Sequence, residues 1–167
     1  MGYAYQVHPA GGKLLIVRHW HGRTKPLTVF TCLNAEGEDM AVTAPVSWGE
    51  LLDKISILDI KREKLTDAGA LANVERERAA LVAVRDKDGA LPPEALALCD
   101  GLRTVNLALW NIEDEIRDCE RQGDFGDRFI KLARSVYITN DQRADLKRQL
   151  NALLKSDLVE EKSYAAY

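Results

Sequence analysis

The sequence is poor in the features that usually announce a function. Apolar runs such as LLIV stop far short of the ~20 residues that cross a bilayer, so no membrane insertion is expected. The opening stretch MGYAYQVHPAGGK has no charged segment leading into an apolar core, and no secretory leader is expected. Gly2 lacks the downstream Ser or Thr of a myristoylation site. Cysteine is sparse: Cys32, Cys99 and Cys119 form an odd set with no close pairing, which fits reduced thiols in a cytoplasm. Histidine is as rare, and His8, His19 and His21 all precede Pro45. With Cys32 they are the only candidates for a zinc site, at spacings unlike a closed one, so no metal is expected. Also missing are a Gly-rich phosphate loop and a nucleophile elbow. No cofactor is expected. Basic excess is absent too. A net charge of −3 argues against a general nucleic-acid binder, and the arginines after Arg117 alternate with acids as ion-paired faces do.

What is present is a composition of 46% hydrophobic and 29% charged residues, that of a water-soluble globular chain long enough to bury a core. Its character changes at Pro45. Before it, KLLIVRHW, LTVFTCLN and MAVTA are short β-rich runs separated by the turn-forming HGRTKP and NAEGED, which predicts a small antiparallel meander over residues 1–44. After it the apolar residues take helical spacing, which predicts a helical bundle over 45–156 and a tail over 157–167. Ser47 and Glu50 fit a capping box opening a first helix that runs to about Leu65. A second spans about Leu71 to Arg85. Pro93 sits in the first turn of a third, which Gly123 stops. The fourth follows DFGD and runs toward Ser156, either unbroken or split at Asn140. The fold class is therefore mainly α: an antiparallel bundle of about four helices with a small N-terminal β-meander.

The heptads of these helices carry a defect. In the third, Leu102, Val105, Leu109, Ile112, Ile116 and Cys119 make a core seam, and the stripe beside it reads Asn106, Trp110, Glu113, Arg117. In the fourth, Phe129, Leu132, Val136, Leu146, Leu150 and Leu153 hold one register, interrupted by Thr139 and Arg143 with Asn140 alongside. In the first, Asp59 and Arg62 interrupt the stripe of Leu52 and Ile55. Buried charges must pair across helices or line a wet cleft. The layer is thus either a network that fixes register or a pocket for a small anionic ligand, with Arg117 and Arg143 as donors and Glu113 orienting them. Carboxylates three apart, as helical nucleotide hydrolases use for magnesium, occur at Glu50/Asp53 and Glu115/Asp118, no more often than chance gives in a chain with 26 acids.

The stretches PVSWGELLDKISILDIKREKL, LANVERE, LWNIEDEIRDCERQGDFGDRFIKLARSVYITNDQRADLKRQLNALL and LVEEKSY resemble an uncharacterised family of small bacterial helical proteins over residues 45–167. The resemblance implies a link to glycosyltransferases of envelope polysaccharide synthesis, which some members are joined to or encoded near. A second unassigned family has a similar LW-x-x-ED-x-x-R and N-x-x-R pattern, which singles out Trp110, Glu113, Asp114, Arg117, Asn140 and Arg143. The expected function is that of a cytoplasmic accessory or ligand-binding protein linked to cell-surface glycan synthesis. Its candidate site is Asp59, Arg62, Asn106, Trp110, Glu113, Asp114, Arg117, Asn140 and Arg143. An anionic small molecule or nucleotide-sugar, a glycosyltransferase and a second copy of the chain are the partners considered. A small enzyme acting on a nucleotide or nucleotide-sugar and a purely structural oligomer subunit are the alternatives.

Overall fold

The computed structural model describes residues 4–10, 13–19, 44–161 and 163. The chain divides into two compact units, Met1–Pro45 and Val46–Tyr167. In the first, β1 (Ala4–Ala10) and β2 (Lys13–His19) pair antiparallel, with Val7 opposite Ile16 and His8 opposite Leu15. The run LTVFTCLN and all of MAVTA but Ala44 of the expected meander lie outside the described residues, as do His21 and Cys32 of the metal candidates.

The second unit is four helices: α1 (Trp48–Lys64), α2 (Ala68–Arg85), α3 (Pro93–Gln122) and α4 (Asp127–Leu153). Several boundaries have a local cause. Ser47 Oγ accepts the Glu50 amide at 3.2 Å and starts α1. The capping box stays half made, because Glu50 turns its carboxylate to Lys147 of α4. Asp67 Oδ1 accepts the Ala70 amide at 2.7 Å, which starts α2 three residues before Leu71, where the apolar pattern begins. α3 ends on Gly123 at φ 67°, a left-handed cap whose amide donates back to the last turn. α4 runs straight through Asn140. Among the described residues, no helix is long and apolar enough to cross a membrane.

α1 is the hub. It packs against α2 on one face and against both α3 and α4 on another. Leu52, Ala95, Leu102 and Leu150 form a buried cluster between α1, α3 and α4, with Trp48, Leu98 and Leu146 packed on it. The approach to α4 is close at one point. A Cβ on Gly49 would lie 2.7 Å from the Lys147 carbonyl oxygen, so only glycine lets α1 come this near. The lengths are unequal: 17 residues in α1 span about 25 Å, while 30 in α3 span about 45 Å. The outer part of the α3–α4 hairpin therefore runs on beyond α1. Ala95, Leu102, Asn106, Ala144, Lys147, Leu150 and Asn151 are all buried in the inner half, and Cys119 alone in the outer.

Candidate binding groove

Three helices place polar groups where apolar ones would otherwise meet. α1 supplies Asp53 and Ser56, one turn apart on its hairpin-facing side; α3 supplies Asn106 and α4 supplies Arg143. Asp53 is 2% exposed. Its Oδ1 accepts Asn106 Nδ2 at 2.8 Å and Arg143 Nε at 2.9 Å, and its Oδ2 accepts Arg143 Nη2. Asn106 Nδ2 also donates to Ser56 Oγ at 3.3 Å. The side-on pairing with Asp53 holds the Arg143 pKa above its ordinary value. One turn further along α4, Lys147 donates to Glu50 and, at 2.6 Å, to Glu160 of the C-terminal segment. Burial works against the Lys147 ammonium, but these hydrogen bonds outweigh it and raise its pKa. A turn beyond, Asn151 Oδ1 accepts the Gly49 amide at 2.6 Å. Among the described residues, no buried side-chain nitrogen or oxygen lacks a partner. The inner polar layer is a closed network.

Beside that network, at the C-terminal half of α1, lies an open groove of about 380 Å³. Ile57, Ile60, Leu109 and Trp110 give it an apolar lining, and Asn106, Glu113, Asp114, Arg117 and Arg143 a polar one. An apolar cleft with a few convergent polar groups is the usual form of a small-molecule site. The two arginines differ sharply. Arg143 is fixed by a buried carboxylate. Arg117 is 62% exposed and folds back on its own helix, to Glu113 Oε2 at 3.1 Å and the Glu113 carbonyl at 3.0 Å. A surface pair of this kind is worth ~0–1 kcal/mol, so Arg117 can leave Glu113 at little cost.

Six of the nine residues expected to form the site, Asn106, Trp110, Glu113, Asp114, Arg117 and Arg143, come together around this groove. The other three sit elsewhere. Asp59 and Arg62 face α2, paired with Arg78 and with Glu75 at 3.6 Å, because α1 has a second neighbour on that side. Asn140 is half-buried on α4, one heptad before Lys147 and outside the groove lining. Within the groove, the polar groups have separate partners. Arg143 is bound by Asp53, and Glu113 with Arg117 stands apart as a pair on the helix surface. Sequence reasoning passed over Asp53, Lys147 and Asn151. Their signal is spacing: Glu50 and Asp53 are three apart, and Arg143, Lys147 and Asn151 recur every four, one ladder answering the other.

A family model described as Family of unknown function (DUF6165) matches residues 42–167. The chain belongs to this family. The match takes in all four helices, the buried network and the groove. No curated protein and no solved structure matches the chain.

Proposed function

We propose that the protein acts by binding, as a helical accessory component that takes a small anionic ligand in the groove between α1 and α3. The observation that carries this reading is the contrast between the arginines. A rigid Arg143 backs the wall, while a loosely held Arg117 stands over an apolar floor beside Trp110. Trp110 offers a ring for stacking, and Arg117 offers a planar fork for a phosphate. The sequence resemblance to proteins linked with glycosyltransferases makes a nucleotide-sugar the ligand class to test, and cell-surface glycan synthesis the setting. The free thiols of Cys99 and Cys119 fit a cytoplasmic location.

The experiment is a thermal-shift and calorimetric titration of the full chain with uridine diphosphate-glucose, uridine diphosphate and glucose. Under this reading the nucleotide-sugar raises the melting temperature, and Arg117→Ala and Trp110→Ala each remove the shift without changing the melt of the free protein. A shift that survives both substitutions puts the ligand elsewhere. No response to any of the three compounds rejects this ligand class.

A further inference from the structure

Asp53 fixes the polarity of two side chains at the inner end of the groove. A carboxylate only accepts hydrogen bonds, so the Asn106 atom that meets Asp53 Oδ1 at 2.8 Å is the amide nitrogen. Ser56 Oγ accepts from the same nitrogen at 3.3 Å, so both Nδ2 protons are in use and Asn106 Oδ1 is turned the other way. Arg143 is held just as firmly. Its Nε and Nη2 face the Asp53 carboxylate, and Nη1 points away from it. Among the described residues nothing bonds Asn106 Oδ1 or Arg143 Nη1, yet no buried side-chain nitrogen or oxygen lacks a partner. Both atoms are therefore open to solvent, and the groove is the opening that both residues line. Asn106 as a whole is 5% exposed, a nearly buried side chain with its acceptor left uncovered. Because Asn106 Nδ2 and Arg143 Nε meet at one oxygen, Asp53 Oδ1, the open acceptor and the open donor belong to adjacent side chains.

We propose that this end of the groove reads the imide edge of a uracil ring, the ring N3–H donating to Asn106 Oδ1 and a ring carbonyl accepting from Arg143 Nη1. The inference deepens the groove reading above and rests on the groove being a ligand site. Three features select a neutral, planar edge. Asp53 balances the Arg143 charge, so Nη1 offers a hydrogen-bond donor with no net charge behind it. Asn106 Oδ1 turns its lone pairs toward whatever enters, which opposes a phosphate or carboxylate at this end. Ile57, Ile60, Leu109 and Trp110 supply apolar surface for a flat ring. A cyclic imide fits better than a simple amide, because its N–H stands between two carbonyls and offers donor beside acceptor in either ring direction. A phosphate carried by the same ligand is left to Arg117, the loosely held cation of the lining.

The test varies the ligand and leaves the buried network intact. The full chain, labelled with nitrogen-15, is titrated with uridine, 3-methyluridine and ribose, all neutral, and proton–nitrogen spectra are recorded. Uridine should shift the Asn106 side-chain amide and the Arg143 Nε–H signals. 3-Methyluridine, which has a methyl in place of the N3 proton, should bind at least about tenfold more weakly, and ribose should shift neither signal. Trp110→Ala should weaken uridine binding by a similar factor with an unchanged melt. Three outcomes overturn the proposal: no response to uridine, binding of 3-methyluridine within about twofold of uridine, or shifts that map away from the groove. Uridine binding without any response to uridine diphosphate-glucose would uphold the imide edge and reject the anionic ligand. A response to uridine diphosphate-glucose with equal binding of the two nucleosides would do the reverse.

Discussion

The inner and outer halves of the α3–α4 hairpin are built from the same heptads and the same residue types, yet their polar groups behave differently. Beneath α1, Asp53, Asn106, Ser56 and Arg143 are drawn into one buried network, and Lys147 is held between two carboxylates. At the edge of α1 and beyond it, Glu113 pairs with Arg117 and Asp118 with Arg121 on the surface of their own helix, and Arg128 reaches from α4 to Glu115. The seam residues divide less cleanly: Leu102 and Leu150 of the inner half are fully buried, but so is Cys119 of the outer, and Leu146 is half-buried like Ile112, Ile116, Leu132 and Val136. The third helix makes the difference. A charge beside a two-helix seam keeps access to water, and the same charge beneath a third helix must find a partner or be lost.

The largest effect should come from cutting the inner network. Asp53→Ala strands Arg143 and Asn106 in a poorly hydrated site, at a cost of about 3–5 kcal/mol by urea denaturation. Replacing Asp53 and Arg143 together with apolar residues should cost less than the sum of the single changes. A loss below ~1 kcal/mol for the single change would erase the contrast, because the inner layer would then be as wet as the outer. Next comes Gly49→Ala, which drives a methyl into the Lys147 carbonyl and pushes α1 off α4. The expected cost is about 1–3 kcal/mol, and Gly126→Ala on the exposed hairpin turn provides the comparison.

Lys147 sharpens the contrast through pH. Its folded pKa lies above the unfolded value of ~10.4, so the native state holds its proton more tightly than the unfolded chain. That contribution is complete below ~10.4 and is lost as pH rises through the folded pKa. Lys147→Met should therefore melt lower than the parent chain at pH 8, with the gap narrowing above about pH 10. A gap that stays constant from pH 8 to 11 would mean that Lys147 stabilises by packing of its stem alone.

Much of this was legible in the chain. Heptad spacing with Pro93 and Gly123 placed α3, and the polar stripe Asn106–Trp110–Glu113–Arg117 follows from spacing alone. What spacing does not reveal is the neighbour. Asp59 and Asp53 both lie on α1, but one meets α2 and the other the hairpin, and nothing local distinguishes them. Glu50 illustrates the same limit. Its position suits a capping box, and a lysine 97 residues away takes the carboxylate. The unequal helix lengths were legible too, yet their consequence, a hairpin half covered and half bare, depends on where α1 crosses.

The smallest expected effect lies in the outer half. Glu113 and Arg117 are four apart in the favourable order and are 46% and 62% exposed, so a double-mutant cycle should give a coupling of only ~0.3–0.5 kcal/mol. That coupling should shrink as salt is raised from low to physiological strength, because water and ions reach both groups. Had the pair lain under a third helix, removing Arg117 would have cost on the order of 3 kcal/mol, as predicted for the network around Asp53. A coupling of that size, insensitive to salt, would mean that something covers the outer half of the hairpin in solution. The comparison would then have to be redrawn around whatever sits there.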